Sequence, residues 1–274
     1  MKKLLLSAFV ICLAGTSIAQ ESPLWMRHCA LSPDGTTIAF TYKGDIYTVP
    51  STGGRATQIT TNPAFDTEPV WSPDSKQIAF ASDRMGSLDV FVVSSEGGAP
   101  QRLTTHSGSE KPVAYKDNKH ILFTANIAPS AEDAGFPSGQ FQQVYEVAVT
   151  GGRPAMFSSM PMECISINKE GVMLYQDKKG YEDYWRKHQV SPIARDIWTY
   201  TPGKKPVYQK QTTFGGEDRE PVWSPDGKSF YYLSEEKGSF NIFQRTPGTT
   251  TSQQITFHTK HPVRFLSIST TGTL

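Results

Sequence analysis

One short turn motif recurs along this chain, and its recurrence limits the architecture more than any other feature. Ser32-Pro33-Asp34-Gly35 returns as Ser72-Pro73-Asp74-Ser75 and as Ser224-Pro225-Asp226-Gly227. Degenerate copies lie between them at Lys116-Asp117-Asn118 and Asn168-Lys169-Glu170-Gly171, and a last one at Ser269-Thr270-Thr271-Gly272. The first two copies begin 40 residues apart. A period of that size marks a repeat architecture in which each unit cannot bury its own faces and must stack on its neighbours.

Each copy sits in the same context. A short apolar segment precedes it, as in Pro69-Val70-Trp71 and Pro221-Val222-Trp223. An apolar run follows it, as in Ile38-Ala39-Phe40, Ile78-Ala79-Phe80 and Phe230-Tyr231-Tyr232. Then come a polar–aliphatic–aromatic triplet (Asp45-Ile46-Tyr47, Asp89-Val90-Phe91, Asn241-Ile242-Phe243), a glycine turn such as Gly53-Gly54 or Gly97-Gly98, and a closing Gln58-Ile59-Thr60 or Arg102-Leu103-Thr104. Runs of β-branched and aromatic residues bounded by Gly, Pro and Asp are strands. Proline presets the second residue of a type I turn, and glycine accepts the left-handed residue after it. Four strands in about 40 residues make one propeller blade. The reading is an all-β, six-bladed β-propeller with blades over about 27–61, 68–105, 111–157, 163–213 and 219–256, and with 263–274 as the innermost strand of a sixth. The sequence stops in mid-blade at Thr271-Gly272-Thr273-Leu274, which reads as part of a longer gene product. Unpaired strand edges at either end would favour association.

The first nineteen residues read as a signal peptide. Lys2 and Lys3 precede an apolar stretch from Leu4 to Ala14, and Ser17-Ile18-Ala19 is a small-x-small cleavage pattern. The apolar stretch is too short to span a bilayer, so the expectation is an exported, periplasmic or secreted chain beginning at Gln20 and free of the membrane. Charge is nearly balanced, with 27 basic and 26 acidic side chains. That leaves no electrostatic footprint for nucleic acid. Cys29 and Cys164 fall on separate blades, so they are expected to stay unpaired.

Catalytic signatures are missing. The sequence holds no Gly-x-Ser-x-Gly elbow, no His-Glu-x-x-His and no Cys-x-x-Cys. His258 and His261 lack the carboxylate or thiolate partners of a metal site. The expectation is a chain with no catalytic residue, no metal and no cofactor of its own.

Two groups of residues stand out as binding candidates. Asp66 and Glu68 precede the inner strand of blade two, and Asp218 and Glu220 hold equivalent places in blade five. Inner strands line a propeller's central channel, so these acids are placed to ring one mouth and receive a peptide N-terminus or a cation. Alternatively they form local salt bridges, for instance with Arg84 or Arg219. The second group lies in long insertions at 126–142 and 177–195, which open on that same face. Tyr181, Tyr184, Trp185, Arg186, Lys187, His188 and Arg195 fall in the second insertion. Aromatics and arginine dominate contact energies at protein interfaces, so this loop is a candidate docking surface. Trp71 and Trp223, at one repeat position, read instead as blade-packing residues.

The Pro-Val-Trp-Ser-Pro-Asp-Gly pattern, Ser82-Asp83-Arg84 downstream and the terminal Leu-Thr resemble the TolB-type propeller repeat. Two longer stretches, from Pro23-Leu24-Trp25 to Asp45-Ile46-Tyr47 and from Lys179-Gly180-Tyr181 to Arg195-Asp196-Ile197-Trp198, are similar to exported bacterial tricorn-like peptidases. In that family a second propeller, a PDZ domain and a serine peptidase core follow the first propeller. The resemblance implies a non-catalytic propeller that gates or docks peptides, with the downstream domains of its parent chain or another subunit as partners. The alternative is a TolB-like periplasmic protein-binding propeller with no peptidase attached. Blade three departs from the pattern, reading Ala114-Tyr115-Lys116-Asp117 where the others carry Trp-Ser-Pro-Asp.

Overall fold

A computed structural model describes residues 25–127, 142–180 and 190–274. These residues form five four-stranded sheets, each joined in simple sequence order and antiparallel throughout. The sheets span 27–58, 66–102, 111–158, 162–210 and 218–254. Their first strands are Arg27–Leu31, Asp66–Trp71, Lys111–Asp117, Met162–Ile167 and Asp218–Trp223. Each of these first strands packs on the first strand of the next sheet, so they are the innermost strands about a common axis. No helix occurs among the described residues.

In blades one, two and five the turn motif closes the first hairpin by the same bonds. In blade two the Ser72 hydroxyl donates to Asp74 Oδ1 at 2.7 Å and accepts from the amides of Lys76 and Gln77. Blades one and five repeat this geometry at Ser32–Asp34 and Ser224–Asp226, both at 2.6 Å. The turn thus satisfies its own polar groups without any help from the core.

Blade stacking supplies the core. Ala39, Ile46 and Ile59 of blade one meet Trp71, Ile78, Phe80 and Phe91 of blade two in one cluster. The opposite face of blade two, through Ala79, Val90 and Leu103, packs on Tyr115, Ile121 and Phe123 of blade three. The second strands of blades two and three are therefore buried on both faces, and Ile78, Phe80, Ile121 and Phe123 are fully buried, as is Phe230 of blade five. Each such side chain contributes about 1.5–3 kcal/mol of transfer free energy. Trp71 and Trp223 bridge backwards to the preceding blade. Their indole N–H groups donate to the carbonyls of Ala30 (2.9 Å) and Val172 (3.1 Å).

Residues 263–273 lie between blade five and blade one. Val263 and Leu266 pack against Leu233, Phe240 and Ile242 of blade five, and the Val263 amide donates to the Phe240 carbonyl at 2.9 Å. On the other side the Thr270 amide donates to the Pro33 carbonyl at 2.7 Å, and the Leu31 amide donates to Ser267 Oγ at 3.0 Å. The sequence predicts a strand here. The segment forms no ladder; loop carbonyls and side chains meet its backbone instead.

Candidate functional site: the central channel wall

The inner strands share an irregularity that shapes the channel. In blade two the pairing runs Thr67↔Ala81 and then jumps to Val70↔Ala79. The same jump occurs between Arg27 and Ala30, Glu163 and Ser166, and Arg219 and Val222. Inside each bulge one non-glycine residue adopts the left-handed conformation: His28 (φ 51°), Glu68 (55°), Cys164 (51°) and Glu220 (50°). Phe265 (58°) does so at the corresponding place in 263–273. Blade three carries Pro112 there, whose ring forbids a positive φ, and its bulge shifts to Val113. A left-handed residue costs about 1–2 kcal/mol. Five recurrences at one repeat position indicate a structural purpose: a bulge re-aims the side chain it carries.

The re-aimed side chains converge. The His28 ring lies on Phe265 with centroids 5.0 Å apart. Burial lowers the His28 pKa; the carboxylate of Glu68 opposes that shift, while Lys111 and Arg27 add to it. Cys164 is unpaired and exposed on an inner strand, with protein crowded close around it. Burial raises its thiol pKa well above the usual range, and Glu220, Glu163 and Glu68 add to the rise. These three carboxylates belong to blades five, four and two, so the wall closes around the thiol from several sides. A thiol held protonated in this way is a poor nucleophile.

Charged residues on the wall are paired across blades. Lys111 donates to Glu68 at 2.6 Å. Arg195 joins Glu163 (3.2 Å) to Glu217 (3.5 Å), and Arg219 meets Glu217 at 2.8 Å. Arg195, Glu217 and Arg219 are all buried, so this network clamps blade four to blade five. The Glu220 amide donates to Gln176 Oε1 of blade four at 2.9 Å, and its carboxylate accepts from the Leu266 amide at 2.8 Å.

The four acids singled out in the sequence thus divide into two kinds. Glu68 and Glu220 stand on the channel wall, each bonded to a neighbouring blade. Asp66 and Asp218 lie off the axis, between blades. Asp66 is fully buried and takes both of its 3.0 Å bonds from the Arg84 guanidinium. Asp218 is also buried; burial pushes its carboxyl up to about 7, the hydroxyls of Ser234 and Thr212 oppose the shift, and Asp196 and Glu236 add to it. Those two hydroxyls are neighbours only, because neither Asp218 oxygen completes a hydrogen bond. Arg195, expected in a docking loop, is the buried clamp. Tyr181, Tyr184, Trp185, Arg186, Lys187 and His188 lie outside the described residues. Sequence reasoning missed His28, Lys111, Cys164 and Phe265. Their signal is positional: His28, Cys164 and Phe265 each stand four residues before the first residue of a turn motif, as Glu68 and Glu220 do.

Antiparallel sheets packed face to face about an axis, with their first strands innermost, define an all-β propeller. The family described as "Tricorn protease N-terminal beta propeller domain" matches residues 23–273, and the chain belongs to it. It is 39% identical over 213 residues to "Tricorn protease homolog 1" of Streptomyces coelicolor, covering 77% of this chain and 19% of that relative. The chain therefore spans about a fifth of that protein's length. Among solved structures it resembles the tricorn protease (TM-score 0.73, 17% identity, 90% of this chain and 24% of that one). It also resembles a putative TolB from Agrobacterium tumefaciens (TM-score 0.66, 14% identity, 85% and 81%).

Proposed function

We propose that this chain is the non-catalytic propeller portion of an exported tricorn-like serine peptidase, gating peptides through its channel and docking the peptidase and PDZ domains of its parent or another subunit. Family membership supports the setting. The observation that carries the gating role is the wall itself. At one repeat position of the innermost strands, and at the matching place in 263–273, His28, Glu68, Cys164, Glu220 and Phe265 hold left-handed backbone at a recurring cost in energy, and the Glu68 carboxylate acts on both His28 and Cys164. A wall of mixed charge, an aromatic ring and a protonated thiol offers an extended peptide polar and apolar contacts without attacking it.

The ring is proposed to be six-bladed, with 263–273 as the inner strand of the sixth. Its bonds to blade five on one side and blade one on the other support this. Export rests on the Lys2-Lys3, apolar and Ser17-Ile18-Ala19 pattern.

The test is a channel block. Cys164→Trp fills the wall from one blade. A fluorescein-labelled unstructured peptide should bind the wild-type chain saturably, and the variant, in a form whose cooperative melt shows it folded, at least about tenfold more weakly, a loss of about 1.4 kcal/mol. Equal affinity in a folded variant would remove the channel from peptide handling.

A further inference from the structure

Blade two shows how its buried acid is satisfied. Arg84, in the turn after the second strand, donates through Nη2 to both oxygens of Asp66 at 3.0 Å and through Nε to Ser82 Oγ at 2.8 Å. Its guanidinium lies 4.5 Å from the Phe91 ring centre and 5.5 Å from that of Phe80. One carboxylate, one hydroxyl and two aromatic faces hold one guanidinium.

Blade five rebuilds all of this except the arginine. The registers Asp66↔Ser82 and Phe80↔Phe91 become Asp218↔Ser234 and Tyr232↔Phe243. Both ring pairs have centroids 5.9 Å apart. Where blade two reads Ser82-Asp83-Arg84, blade five reads Ser234-Glu235-Glu236. The residue replacing Arg84 is therefore an exposed acid. A cleft of about 470 Å³ opens there between blades four and five, lined by Asp218, Tyr232, Phe243 and Glu236 among others. Asp218 is only 1% exposed, and neither of its oxygens has a hydrogen-bond partner. Buried carboxylates without partners are costly and rare in native proteins. Two cations also line the cleft, and each is bonded within it: Lys237 pairs with Glu236 at 3.4 Å, and Arg245 donates to the Thr249 carbonyl, so neither reaches Asp218.

We propose that this cleft is a guanidinium-binding site, with Asp218 as its anion, Ser234 as its second acceptor and Tyr232 and Phe243 as its aromatic walls. The ligand is the side chain of an arginine. Its planar fork matches a carboxylate beside a hydroxyl, and its flat face suits stacked rings, whereas an ammonium is a point charge. Glu236 adds a second negative charge at the mouth. The site goes beyond the peptide-gating role and stands without it, because it uses neither the channel wall nor any downstream domain.

The test is calorimetric titration of the whole chain at pH 8 with acetyl-arginine methylamide and, as the neutral isostere, acetyl-citrulline methylamide. The arginine probe should bind saturably, and the citrulline probe at least about tenfold more weakly, since the charge-assisted pair is lost. Asp218→Asn should weaken the arginine probe by a similar factor. Glu236→Arg, at an exposed position, supplies the guanidinium from within the chain. It should abolish probe binding and raise the melting temperature by about 2–4 °C. Free arginine binding as tightly as an arginine-bearing tetrapeptide would uphold a small-molecule site; tighter binding of the tetrapeptide would uphold recognition of a polypeptide. Equal affinity for the arginine and citrulline probes overturns the proposal. So does unchanged binding in folded Asp218→Asn or Glu236→Arg, or no saturable binding of the arginine probe by the wild type.

Discussion

Single residues carry much of the chemistry of this propeller, and buried acids are where it is most exposed to test. Asp218 and Glu110 occupy the place that Asp66 fills in blade two, and burial pushes each carboxyl up to about 7. A raised folded-state pKa means that the folded form holds a proton the unfolded chain has released. The associated stability is complete below about pH 4, the unfolded value, and is lost as pH climbs through 7. Removing the ionisation should therefore help most in alkali. Asp218→Asn and Glu110→Gln are expected to raise the melting temperature at pH 8 and change it little at pH 4. Thermal melts across that range check the sign, and equal shifts at both pH values would contradict it. The turn acids Asp34, Asp74 and Asp226 behave oppositely, because hydroxyl and amide donors hold their carboxyls below the usual range. Their contribution is present above about pH 4 and is lost on acidification.

At the scale of the strand, packing and bulge make separate predictions. Trp71 fills the cluster between blades one and two and donates its indole N–H to the Ala30 carbonyl. Trp71→Ala removes both and should cost about 3–5 kcal/mol, measured by denaturant unfolding. A loss below about 1 kcal/mol would mean that the blades do not depend on this contact. The left-handed site at Cys164 separates backbone from side chain. Cys164→Gly relieves about 1–2 kcal/mol of left-handed strain against about 0.5–1 kcal/mol of added chain entropy. It should leave stability equal or higher. Cys164→Val, β-branched, should lower it, and melting curves of the pair decide the order. The strands and their turns were legible in the sequence because alternation and Ser-Pro-Asp-Gly chemistry are local. The bulges were not, since His28, Cys164 and Phe265 share no side-chain type that favours a positive φ; only their offset from the turn motif unites them. Arg195 likewise reads as a loop residue until Glu163 and Glu217, distant in sequence, are brought beside it. Nor does spacing tell Asp66 from Asp218, because the difference lies in whether Arg84 or Glu236 stands across the hairpin.

For the molecule as a whole, 263–273 bonds to the last blade on one side and the first on the other, the placement that the proposed six-bladed ring requires. An ideal Cβ at Gly35 would come 3.2 Å from the Ser269 Cβ, a few tenths of an ångström inside disulfide spacing, so a small outward shift brings the pair to bridging distance. A side chain at Gly35 (φ 77°) carries left-handed strain, which Ser75 (φ 60°) already bears at the equivalent place in blade two. The decisive measurement is peptide mapping of Gly35→Cys/Ser269→Cys after mild oxidation, with Cys12, Cys29 and Cys164 replaced by serine. The account predicts one cross-linked peptide joining residues 35 and 269 and a melting temperature higher when oxidised than when reduced. Two free thiols in a folded, oxidant-treated protein would contradict it.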